Sequence, residues 1–139
     1  MAAIDERVLA LLDSPAAAVL TTYRRDGSAV ASPVWVERFG NELAVVVADD
    51  DVKLRHLAHR PECSLLVFES TPPFRGVRIE GVPAIRRDDV DKTRLAIASR
   101  YLGGKAGAAF TAARGSGAVL RFSLDDARVW DLGGILPAG

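Results

Sequence analysis

Lys53 and Arg55 are the residues whose type and spacing best suit chemistry. They lie in Asp51-Val52-Lys53-Leu54-Arg55-His56-Leu57, where an apolar run should give way to a short helix. Backbone N–H groups and the helix dipole both favour negative charge at such a start, so cations there suit a phosphate or another anion. Asp49-Asp50-Asp51 invites a metal reading. A calcium loop, however, spaces its oxygen ligands over about twelve residues with a turn glycine and a closing glutamate, which do not follow here. Helix capping explains the three acids better. His56 and His59 stand three apart with no third nitrogen or sulfur ligand nearby, so they read as surface or interface histidines, and no metal site is expected. Cys63, the only cysteine, sits in an apolar run and reads as a small buried hydrophobe, since a reactive thiolate needs an electropositive, accessible place. No Walker loop, Rossmann glycine fingerprint, nucleophile elbow, Ser-His-Asp set or paired-carboxylate site is present.

The elements that must position these residues follow from periodicity and turns. Ile4, Val8, Leu11 and Leu12 share one side of a short helix over 4–12, stopped by Ser14-Pro15. Strands are expected over 16–22, 29–37 and 43–48, separated by the turns Arg25-Asp26-Gly27-Ser28 and Phe39-Gly40-Asn41, which reads as a three-stranded antiparallel meander. Pro33 has no N–H to give a ladder, so the second strand is an edge or is bulged there. Trp35 can stack near a planar ring or simply pack. A helix over 52–58 leads to strands over 63–69 and 75–85, the latter with Val77, Ile79 and Gly81 on one face, Arg78, Glu80 and Val82 on the other, and a bulge or close approach at Gly81. Asp88 is the expected cap of a long helix to Leu102, with Val90, Leu95, Ile97, Tyr101 and Leu102 on its buried side and Gly103-Gly104 closing it. A helix over 106–113, strands over 118–123 and 128–131, and a loose tail over 133–139 complete the chain. Without βαβ alternation, the fold class is mainly β: a small antiparallel barrel with helices at its ends.

With 139 residues, 49% of them hydrophobic, the chain suits a single domain with one core. Eighteen basic and eighteen acidic residues cancel, so neither nucleic acid nor a membrane surface is an expected partner. No charged leader precedes an apolar stretch and no run is long enough to span a bilayer, so the expected location is cytoplasmic.

Asp26-Gly27-Ser28, Ser32-Pro33-Val34-Trp35, Lys53-Leu54-Arg55-His56-Leu57, Arg60-Pro61-Glu62-Cys63-Ser64-Leu65 and Arg78-Ile79-Glu80-Gly81, in that order, resemble the pyridoxamine-phosphate-oxidase-like split-barrel flavoproteins. Arg100-Tyr101-Leu102-Gly103 and Val129-Trp130-Asp131 extend the likeness, which runs from about residue 14 to 131. Within that superfamily the chain looks most like the actinobacterial branch that uses the deazaflavin coenzyme F-420. The resemblance implies a split β-barrel of the FMN-binding-protein type and an oxidoreductase transferring hydride from the reduced deazaflavin to a small conjugated organic substrate. FMN is the alternative cofactor, and a non-catalytic flavin or tetrapyrrole binder the alternative role. By the same resemblance, Ser32, Pro33, Val34 and Trp35 border the ring. Val47, Ala48 and Asp49 line the chain joining ring to phosphate, and Lys53 with Arg55 holds the phosphate. The resemblance also implies a homodimer with cofactor sites between protomers, completed by partner residues such as Arg75, Arg78 or Trp130. Arg24, Arg25 and Arg60 are candidates for the longer anionic tail of the deazaflavin. Catalytic residues are not specified.

Overall fold

A computed structural model describes residues 4–137. Its strands form two antiparallel sheets, a five-stranded one ordered β2-β1-β5-β6-β9 and a four-stranded one ordered β3-β4-β8-β7. The strands are β1 (Ala17–Tyr23), β2 (Ala29–Val34), β3 (Glu37–Phe39), β4 (Glu42–Ala48), β5 (Cys63–Phe68), β6 (Gly76–Gly81), β7 (Ala84–Arg86), β8 (Gly117–Ser123) and β9 (Arg128–Trp130). The helices are α1 (Glu6–Leu12), α2 (Val52–His59), α3 (Val90–Leu102) and α4 (Gly104–Ala112). The mainly β architecture expected from the sequence is the one observed.

Alternation on the strands builds the core. Leu20, Leu65, Val67 and Val77 from the five-stranded sheet meet Leu43, Val45, Leu120 and Phe122 from the four-stranded one, all essentially inaccessible to solvent. Val8, Leu11 and Leu12 of α1 close the same core. Asp5 starts that helix by accepting from the Arg7 amide at 2.7 Å. Cys63 is buried, and burial pushes its thiol up to about 11.

Two expected strands each divide. Residues 29–37 do not continue through a three-stranded meander: among the described residues β2 pairs with β1 alone, and β3 pairs with β4 in the other sheet. Pro33, opposite Val19, has no N–H to offer a further neighbour, which makes β2 an edge strand. The chain then crosses between the sheets at Trp35-Val36, where the Val36 amide donates to the Tyr101 hydroxyl at 3.2 Å instead of to a strand. The segment 75–85 divides likewise after Gly81, whose φ of +153° suits glycine. It runs through β6 in one sheet and β7 in the other.

Helix α3 also departs from expectation. Asp88 is not its cap; Asp89 holds that position in the left-handed region, without a side-chain cap bond. Its buried residues are Thr93, Arg94, Ile97 and Ala98, while Leu95 and Leu102 are each 41% exposed. The buried face turns toward Arg94 because its guanidinium finds the Gly115 carbonyl at 2.8 Å, which makes burial of a charged group tolerable. Gly107 brings α4 against α3 so closely that a Cβ there would lie 2.6 Å from the Ser99 amide nitrogen.

Candidate cofactor site

Three parts of the fold meet at a cavity of about 440 Å³. The end of β2 and the residue after it supply Pro33, Val34 and Trp35, and β4 supplies Val46, Val47 and Ala48. The start of α2 adds Asp51 and Lys53. The helical pair α3 and α4 and the residues after it add Arg94, Ile97, Phe110 and Arg114. Apolar walls facing a cationic end suit a flat, conjugated ring carrying a phosphate.

The cationic end is a helix start held by its own cap. Asp51 accepts from the Lys53 amide at 2.9 Å and from the Lys53 ammonium at 3.1 Å. The Lys53 side chain is only 14% exposed, so its charge is fixed at the cavity wall. Trp35 is oriented by aromatic neighbours: it stacks on Tyr101 with centroids 5.2 Å apart and planes 12° apart, and meets Phe110 at 5.2 Å and 48°. Tyr101 is anchored in turn by donating to the Ala16 carbonyl at 2.8 Å. Burial raises its pKa above the ordinary phenol value, which keeps that donor protonated.

Among the residues expected from sequence, Pro33, Val34, Trp35, Val47, Ala48 and Lys53 line this cavity, and Ser32, Asp49 and Arg55 do not. Ser32 lies opposite Leu20 in the β1–β2 ladder. Asp49 is paired with Arg87, and hydrogen bonding by Ser116, reinforced by Arg87, holds its carboxyl below the usual range. Arg55 is exposed on α2. The other candidate cations have different work at the hairpin: Arg25 lies 2.7 Å from the His59 ring and Arg60 donates to the Arg25 carbonyl at 3.1 Å.

Arg75 grips Glu69 through two bonds of 2.6 and 2.9 Å within its own chain, Arg78 pairs with Glu80 at 3.2 Å, and Trp130 packs over Gly76. His56 is not a surface histidine but buried, its Nδ1 2.9 Å from the Thr22 hydroxyl. Packing of α2 on β1 is what covers it. Among the described residues no group of three or more His, Cys, Asp or Glu is placed to hold a metal ion, and no helix is long and apolar enough to cross a membrane.

Val46, Asp51, Arg94, Ile97, Phe110 and Arg114 were not singled out as site residues by the sequence, although a signal for one existed. Arg94 falls on the helical stripe of Val90, Ile97 and Tyr101, and a charge on an apolar stripe marks either a paired core residue or a site.

With this geometry in place, the comparisons with known proteins agree on the class. The chain belongs to the pyridoxamine 5'-phosphate oxidase family, whose model matches residues 4–131. No curated protein matches it. Among solved structures, the chain resembles a conserved hypothetical protein of Mycobacterium tuberculosis at 20% identity, with all of this chain and 92% of that one covered and a TM-score of 0.81. An F-420 reductase is similar at 20% identity, over 90% of this chain and 98% of that one, with a TM-score of 0.70. The haem storage protein of Vibrio cholerae shares the fold at 11% identity, over 94% and 95% of the two chains, with a TM-score of 0.67. At these identities the likeness establishes the split-barrel fold.

Proposed function

We propose that this chain is an oxidoreductase that binds the deazaflavin coenzyme F-420 and uses its hydride to reduce a small conjugated organic substrate. The observation that carries the reading is the cavity itself, with strand-built apolar walls ending at Lys53 on a helix start. Pro33, Val34 and Trp35 would border the ring, Val47 and Ala48 the linking chain, and Lys53 the phosphate. The cofactor supplies the hydride, and solvent supplies the proton that completes reduction of the acceptor. The protein's part is to fix the ring, exclude water from its buried face and neutralise the phosphate. The fold shared with an F-420 reductase supports the choice.

FMN is the second reading, since the helix-start Lys53 suits its phosphate as well as that of F-420. Haem has less support: among the described residues, none lining the cavity is His, Cys, Met or Tyr, the side chains that ligate haem iron. A homodimer belongs to the same proposal. Pro33 and Val34 lie on a strand that has no neighbour beyond it among the described residues, so a second copy laid there would complete the cavity.

The test is turnover. Reduced F-420 and reduced FMN are each mixed with the protein and a panel of α,β-unsaturated ketones and quinones, and reappearance of the oxidised cofactor's absorbance is followed. Protein-dependent oxidation of F-420 alone supports the proposal. Oxidation of FMN alone moves the assignment to the second reading, and binding without turnover of either makes the chain a carrier.

A further inference from the structure

Beside the ring-sized cavity lies a second one of about 560 Å³, bordered by Gly115, Ser116 and Gly117. Arg114 lines both, so one side chain is shared between them. The charged groups around it are unevenly compensated. Lys53 is matched by Asp51 at 3.1 Å, Arg94 by Asp91 at 3.3 Å, and Arg87 by Asp49. Lys92 and Asp89, both lining the second cavity, offset each other in net charge. Arg114 is left over. Its guanidinium lies 4.0 Å over the Phe110 ring, a contact that orients the planar fork while leaving its N–H donors for a ligand.

We propose that Arg114 is the clamp of a second oxyanion subsite, which takes the carboxylate- or phosphate-bearing far end of a ligand whose ring end occupies the first cavity. The inference rests on the ring-cofactor reading above and goes beyond it by naming what the adjoining cavity selects. Among the described residues Lys53, Arg87 and Arg94 each have a paired acid, while the Arg114 guanidinium has no side-chain hydrogen bond or ion pair. A bidentate fork then favours an oxyanion over a neutral polar group. The oxyanion comes either from the cofactor's own tail or from a separate polycarboxylate seated beside it.

The experiment compares wild type, Arg114→Gln and Arg114→Lys by fluorescence titration with three probes. These are F-420 bearing its full anionic tail, F-420 truncated after the phosphate, and citrate added to protein already holding the truncated form. If the tail fills the subsite, Arg114→Gln weakens the full-length cofactor at least tenfold and leaves the truncated one unchanged. If a separate ligand fills it, the tenfold loss falls on citrate instead. Arg114→Lys recovers part of either loss, since it keeps the charge without the fork. Equal loss for full-length and truncated cofactor, or no loss with any probe, overturns the inference. If wild type binds neither cofactor, the proposed function fails, and citrate titrated into the cofactor-free protein decides the subsite separately: loss of citrate binding in Arg114→Gln supports it and unchanged binding overturns it.

Discussion

Tyr101→Phe removes one oxygen from the point where the chain crosses between sheets. That hydroxyl donates to the Ala16 carbonyl at 2.8 Å and accepts from the Val36 amide at 3.2 Å. Ala16 is 7% exposed and Val36 wholly buried, so water has little access to replace either bond. Leaving buried backbone groups without a partner costs about 1–3 kcal/mol each. The longer Val36 bond and the second lone pair of the carbonyl put the sum near the low end, about 2 kcal/mol. For 139 residues, an unfolding entropy of about 0.3 kcal/mol/K converts that to a fall in Tm of roughly 7 °C. Urea denaturation and thermal melting of the two proteins measure it, with an unchanged m-value showing that unfolding remains two-state. The phenyl ring still stacks on Trp35, so ring packing is conserved. A destabilisation below about 0.5 kcal/mol would refute the claim that this hydroxyl ties α3 to the crossing.

Gly117→Ala places a Cβ 2.4 Å from the Val47 carbonyl oxygen and 2.8 Å from an Arg94 nitrogen. The expected outcome is a loss of about 1–3 kcal/mol in denaturant unfolding, together with weaker cofactor binding because both neighbours line the cavity. Lys53→Ala is expected to weaken cofactor binding by about 1.5–3 kcal/mol with little change in Tm, as Asp51 still caps α2. Arg55→Ala, on the exposed side of that helix, should be far milder in the same titration. The Glu69 carboxyl is lowered from 4.5 to about 2 by its hydrogen bonds from Arg75. Its contribution to stability is therefore complete above about pH 4.5 and disappears as pH falls toward 2. Glu69→Gln should flatten the pH dependence of Tm across that window and leave the profile above pH 6 parallel to wild type.

Strand positions were legible because an apolar run between turns marks them, as over 63–69, or alternation does, as with Val77 and Ile79 flanking Arg78. The division of strands between two sheets was not. A strand bent at Trp35-Val36 or after Gly81 keeps its local pattern on both sides of the bend, and alternation carries no information about which neighbour it pairs with. The candidate site divided along the same line. Pro33, Val34, Trp35, Val47, Ala48 and Lys53 sit on a strand end, a buried strand and a helix start, places that local sequence can mark. Phe110 and Arg114 reach the cavity only because Gly107 lets α4 lie close on α3, a long-range packing consequence with no local signature. Arg55 went the other way: residues two apart on a helix point in directions about 200° apart, so Lys53 on the cavity wall puts Arg55 outside it.

The central claim is that the cavity beside Trp35 holds a phosphorylated deazaflavin anchored by Lys53. Its most direct test is titration of F-420 and FMN against tryptophan fluorescence in wild type, Trp130→Phe, Trp35→Phe and Lys53→Ala, with a calorimetric titration of the Trp35→Phe protein alongside. F-420 should quench wild type and Trp130→Phe with micromolar or tighter affinity, about 8 kcal/mol or more. The quench should vanish in Trp35→Phe while calorimetry still shows binding, and the affinity should fall at least tenfold in Lys53→Ala. Quenching that persists in Trp35→Phe, or an affinity indifferent to Lys53, would contradict it.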